Sequence, residues 1–72
     1  MRKYLKQLRD NKGMSQHSVA DSLGCYQSYY SAIENGNRQR DMSYSMMEKL
    51  AAVFDVPIQT IIDAEAKYKI GG

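Results

Sequence analysis

The chain has 72 residues, a net charge of +2, one cysteine and one histidine. So short a chain makes a single small domain that relies on close packing or self-association, because one thiol forms no internal disulfide. One Cys and one His also fall short of a zinc site, and no apolar run nears the roughly 20 residues of a membrane span, so a soluble cytoplasmic protein without metal or other cofactor is expected.

Helical periodicity runs along the whole chain. Tyr4, Leu5 and Leu8 form an apolar stripe that should close near Gly13. Ser15 is a good N-cap for a second segment, in which Val19, Ala20 and Leu23 follow at helical spacing before Gly24 stops it. A third short segment, about residues 27–34, places Tyr30 and Ile33 on one side. Asn35-Gly36-Asn37 then has the chemistry of a turn. Ser43 can cap a fourth helix with Tyr44, Met47, Leu50, Ala51 and Phe54 facing inward. Pro57 suits the first turn of a fifth segment that carries Ile58, Ile61 and Ile62. Residues 63–72 read as a C-terminal tail, a candidate for dimerisation, beyond a core of about 3–62, and its end at 68–72 can fray or pack. No period-two run suggests a strand. The architecture expected from this pattern is all-α, with four or five short helices in one domain.

Charge is unevenly spread. Residues 1–40 carry seven basic side chains against three acids, and residues 41–72 carry three against five. Such asymmetry suits one face turned toward polyphosphate, although an ordinary solvated surface explains it as readily. The stretch from Gln16 to Gly36 is more informative. Two helices joined by a short turn containing Gly describe a helix-turn-helix. Ala20 suits a close crossing of the two backbones, Gly24 suits the turn, and Val19, Leu23 and Ile33 give the pair an apolar underside. The second helix then turns Gln27, Ser28, Ser31 and Ala32 outward, a short, uncharged surface fit for base edges in a major groove.

Together, Leu5-x-x-Leu8-Arg9, Gly13-Met14-Ser15-Gln16, Val19-Ala20, Leu23-Gly24, Ile33-Glu34-Asn35-Gly36 and Leu50-Ala51-x-x-Phe54-x-Val56 make the chain resemble the Cro/repressor (Xre-like) helix-turn-helix family. The resemblance covers roughly residues 3–62. It implies a compact five-helix, lambda-repressor-like DNA-binding domain of bacterial or phage origin, with the motif in helices 2 and 3. It also implies that Gln16 contacts a phosphate and braces the recognition helix. Gln27, Ser28 and Ala32 would face base edges, and Arg9 and Glu34 would form a partly buried ion pair between helices 1 and 3.

The chain departs from that family pattern in three places. Tyr26 stands where a capping Ser or Thr is usual, and its phenol can reach a phosphate only from further out. Tyr30 takes an aliphatic slot, so its hydroxyl needs a partner or water. The connection after Gly36 is longer and lacks the common proline; Asn37, Arg38 and Arg40 there are candidates for the DNA backbone or a narrow minor groove. Tyr29 is as readily packing as a contact to sugar-phosphate or a thymine methyl. Cys25 reads as a buried structural thiol, Met42, Met46 and Met47 as flexible packing, and His17 as an exposed helix residue.

One short helix reads few base pairs, so a homodimer on a palindromic operator is expected, with Ile58, Ile61, Ile62, Tyr68 and Ile70 as the apolar contact. Nothing in the sequence pairs a nucleophile with a base, so no enzyme is expected and no catalytic residue is assigned. The competing function is a protein-interaction module with its own protein partner, such as an antitoxin, an antirepressor or a restriction–modification control protein.

Overall fold

Local chemistry marks where each helix begins and ends. The structure, a computed structural model, describes residues 1–71 and contains α1 (Lys3–Lys12), α2 (Gln16–Leu23), α3 (Gln27–Asn35), α4 (Tyr44–Phe54) and α5 (Ile58–Gly71), with no strand among the described residues. Ser15 caps α2 by accepting from the Ser18 amide at 3.0 Å, and Ser43 caps α4 from the Met46 amide at 3.1 Å. Each bond satisfies one amide that the first helical turn leaves without a partner. Tyr26 starts α3 in extended geometry with no side-chain cap.

The apolar faces converge on one core of Leu5, Val19, Ala20, Tyr30, Ile33, Met42, Leu50, Ala51, Phe54 and Ile61. Burying a Leu, Ile or Phe side chain in this way contributes about 1.5–3 kcal/mol each, the main favourable contribution in so small a body. Ala20, 1% exposed, lies in the α2 face that packs closely on α3. Its single methyl lets the two backbones approach, and that contact fixes the motif.

Four expectations are corrected. Tyr44, the first residue of α4, is 60% exposed rather than inward, and Met42, just upstream, enters the core instead. The supposed tail is helix, since α5 runs on through Gly71; Gly72 lies outside the described residues. Ile61 is fully buried, so it closes the core and offers nothing to a second chain. Cys25 is only half-buried against the core. Met46 and Met47 pack on it from the edge, and His17 is exposed. No helix among the described residues is long and apolar enough to cross a membrane. They hold no cluster of residues suited to a metal ion.

Candidate nucleic-acid interface

The outer side of α3 is built by what its inner side buries. Tyr30, Ile33 and Glu34 turn into the body, which leaves Gln27 and Ser28 exposed and Tyr29, Ser31 and Ala32 half-buried. The uncharged outer surface is therefore narrower than four open side chains: Gln27 and Ser28 are exposed, while Ser31 and Ala32 offer only part of their surface. Tyr26, 85% exposed, stands at the amino end of the same helix.

Three side chains lock the end of α3 to α1 and α2. Arg9 Nε donates to Glu34 Oε2 at 2.6 Å, Arg9 Nη2 donates to Oε1 at 3.3 Å, and Gln16 Nε2 donates to Oε1 at 3.1 Å. Arg9 Nη1 also donates to the Met14 carbonyl at 3.2 Å, tying the α1–α2 turn into the same cluster. Burial alone would raise the Glu34 carboxyl; the donors around it, Arg9 first, hold it below its ordinary range instead. The Tyr30 hydroxyl faces this carboxylate without a hydrogen bond of normal geometry and has no other partner among the described residues. Burial, reinforced by the negative carboxylate, pushes its phenol up, so it stays neutral.

Beyond α3 the chain turns at Gly36, whose φ of +86° lies in the left-handed region where a Cβ is costly. Asn37 and Arg38 donate their amides to the Ala32 carbonyl at 2.8 and 3.2 Å, which closes the helix end. Asn37, Arg38 and Arg40 expose their side chains beside α3. The Tyr29 hydroxyl accepts from Gln39 Nε2 at 3.0 Å, so this ring is joined to the loop rather than free.

One basic residue lies elsewhere than its sequence suggests. Arg2, expected among the polyphosphate-facing charges, is fully buried and paired with Glu65 at 2.9 Å. Arg2, Gln39 and Glu65 escaped the sequence analysis as residues that shape this surface. Glu65 lay on the α5 inner face, four residues after Ile61, and that spacing was the available signal. Of the residues expected at a dimer contact, Ile70 is 89% exposed, and Ile58, Ile62 and Tyr68 are half-buried.

Comparison with known proteins agrees with this architecture. A family model described as helix-turn-helix matches residues 5–61. The chain is 37% identical over 68 residues to the HTH-type transcriptional regulator SinR of Bacillus subtilis (strain 168), and 35% identical over 68 residues to the SinR of Bacillus licheniformis. Each match covers 94% of this chain and 60% of the relative. It is also 30% identical over 66 residues to the uncharacterized HTH-type transcriptional regulator YqaE of Bacillus subtilis (strain 168), covering 92% of this chain and 55% of that one. The chain thus spans a little over half the length of the curated relatives it matches. The matched residues take in all of α2 to α4 and most of α1, and the five-helix arrangement is lambda-repressor-like. The chain belongs to the Cro/C1-type helix-turn-helix family.

Proposed function

We propose that this chain is a sequence-specific double-stranded DNA-binding domain of a transcriptional regulator, with α3 in the major groove. The observation that carries the reading is the outer surface of α3, where Gln27 and Ser28 are exposed and neutral, with Arg38 and Arg40 exposed in the loop that follows the helix. An amide and a hydroxyl both donate and accept, as reading base edges requires, while guanidinium groups at the margin meet phosphates. Membership of the helix-turn-helix family and the name "transcriptional regulator" carried by its relatives support the same reading. In this reading Gln27 and Ser28 specify sequence, and Ala32 gives an apolar contact. Gln16, Tyr26, Asn37, Arg38 and Arg40 hold the backbone, and Tyr29 and Ser31 line the groove wall.

The domain acts as a homodimer on a pseudo-palindromic site, as a repressor in the simplest case. With Ile61 committed to the core, the dimer contact falls to Ile58, Ile62, Tyr68 and Ile70 on α5. Selection of bound sequences from random duplex DNA, followed by a footprint, tests the reading. Enrichment of a two-fold symmetric site with half-sites about one turn, ~34 Å, apart is expected. Failure to enrich any sequence would refute it.

A further inference from the structure

Arg2 is fully buried, a rare and costly state for an arginine unless every donor finds a partner. Here every donor does. Nε and Nη2 grip the Glu65 carboxylate at 2.9 and 3.0 Å in a two-pronged pair. Nη1 donates to the carbonyls of Ile33 at 2.6 Å and Arg38 at 3.1 Å, and Nη2 also donates to the Gln39 carbonyl. These contacts use the five N–H groups that a guanidinium owns, two on α5 and three on the backbone at the end of α3 and in the loop after it. The guanidinium lies over the Tyr68 ring at 5.0 Å, and Glu65 is itself held by the Tyr4 hydroxyl at 2.6 Å.

The loop so gripped is not relaxed. Gln39 has φ +53°, uncommon for a residue with a Cβ. A conformation of that kind persists only where its surroundings over-determine it. Besides the bond to its carbonyl from Arg2, the Gln39 side chain donates to the Tyr29 hydroxyl and accepts from the Ser43 amide at 3.2 Å. One residue further on, Lys69 Nζ of α5 donates to the Arg40 carbonyl at 2.7 Å and to Asp41 at 2.6 Å. The backbone carbonyls of residues 38–40 are therefore held by Arg2 and by Lys69 of α5, while Arg38 and Arg40 stay exposed.

We propose that Arg2, anchored by Glu65, is a positioning residue for DNA binding: it fixes the loop that presents Arg38 and Arg40 to the phosphates. The inference rests on the proposed function, in which that loop meets DNA. A loop ordered before binding gives up less entropy on the duplex, so its two charges make full contacts. Lysine at position 2 would keep the charge and lose the fork that reaches three carbonyls and a carboxylate together.

The test measures binding to the selected duplex across salt concentrations for the wild-type chain, Arg2→Lys, Glu65→Gln, the pair Arg38→Ala and Arg40→Ala, and that pair combined with Arg2→Lys. Circular dichroism confirms that each variant is folded. The loop pair is expected to lower the salt slope by about 1–2 per chain, since each lost phosphate contact removes roughly 0.9. Arg2→Lys and Glu65→Gln are each expected to lower it comparably, and the combined variant no further than the loop pair alone. If Arg2→Lys and Glu65→Gln melt earlier but keep the wild-type slope while the loop pair loses it, Arg2 is merely structural and the inference is overturned, with the reading of the loop intact. A loop pair with the wild-type slope would overturn that reading and the inference with it. Should Arg2→Lys not fold, Glu65→Gln alone decides: a lowered slope supports the proposal and a wild-type slope overturns it.

Discussion

Gln16 Nε2 owns two amide hydrogens, and the bond to Glu34 uses one. In the proposed complex the second is available to a phosphate oxygen, so the side chain that braces α3 would also position it on DNA. Gln27 makes no comparable internal bond and is exposed at the start of α3, with both amide groups available for an adenine edge. Gln27→Ala is therefore expected to cost about 1–3 kcal/mol on the preferred site and to relax preference at one base pair per half-site. Gln16→Ala should instead weaken binding to all duplexes alike, as measured against a full set of single-base operator changes. A Gln27→Ala variant with an unchanged preference profile would remove it from the readers. Glu34 yields a different expectation. Its carboxyl titrates below its ordinary value of 4.5 in the folded chain, so the unfolded chain takes up protons first as pH falls. The stability it contributes is complete above about pH 4.5 and is lost as pH drops through the folded value. Glu34→Gln should destabilise by about 2–4 kcal/mol at neutral pH, since it leaves the largely buried Arg9 without its counter-charge. That gap should narrow in acid. Denaturant melts of both proteins from pH 7 to pH 3 measure it, and a gap that is constant with pH would show that the carboxylate charge contributes nothing.

Two helix-ending glycines separate conformational cost from crowding. Gly24 and Gly36 both have positive φ, yet a Cβ on Gly24 would meet nothing within 4 Å, whereas one on Gly36 would come within 2.5 Å of the Tyr68 hydroxyl. Gly24→Ala should cost about 1–2 kcal/mol for the left-handed backbone alone. Gly36→Ala should cost more, and adding Tyr68→Phe should recover the excess; thermal melts of the four proteins decide, and equal costs at the two glycines would contradict the contact. The helix boundaries themselves were legible in sequence because capping is local: Ser15 and Ser43 bond amides three residues ahead. The α5 extension was not legible. Its inward face passes from Ile61 to Glu65, and a carboxylate where apolar spacing calls for a hydrophobe reads as the end of the pattern. Arg2, 63 residues away in sequence, and Tyr4 explain that burial, and no local periodicity joins segments so far apart. Tyr44 failed for the opposite reason: its spacing fitted the inner face, but it stands at the first residue of α4, where Met42 upstream enters the core instead.

Across the molecule, burial redraws the charge map. Of the seven basic residues in 1–40, Arg2 is buried on Glu65 and Arg9 is engaged by Glu34. Lys3, Lys6, Lys12, Arg38 and Arg40 remain exposed in that half. One chain carries a single α2–α3 motif and so presents one helix to a major groove, whose successive faces lie ~34 Å apart. In the proposed homodimer the second copy supplies the second reading helix. Sedimentation of the DNA-bound protein should find two chains, and Ile70→Asp, at an exposed position, should weaken association without unfolding the chain. A monomer saturating an asymmetric site would exclude the dimer.

Sequence-specific recognition through α3, supported by phosphate contacts from its flanks, is tested most directly by titrating a selected duplex and its scrambled counterpart over a range of salt concentrations. About four to eight phosphate contacts per dimer, each releasing roughly 0.9 counterion, should give steep slopes on both duplexes, with the selected one bound far more tightly throughout. Equal affinity for the two duplexes, or a slope near zero, would contradict it.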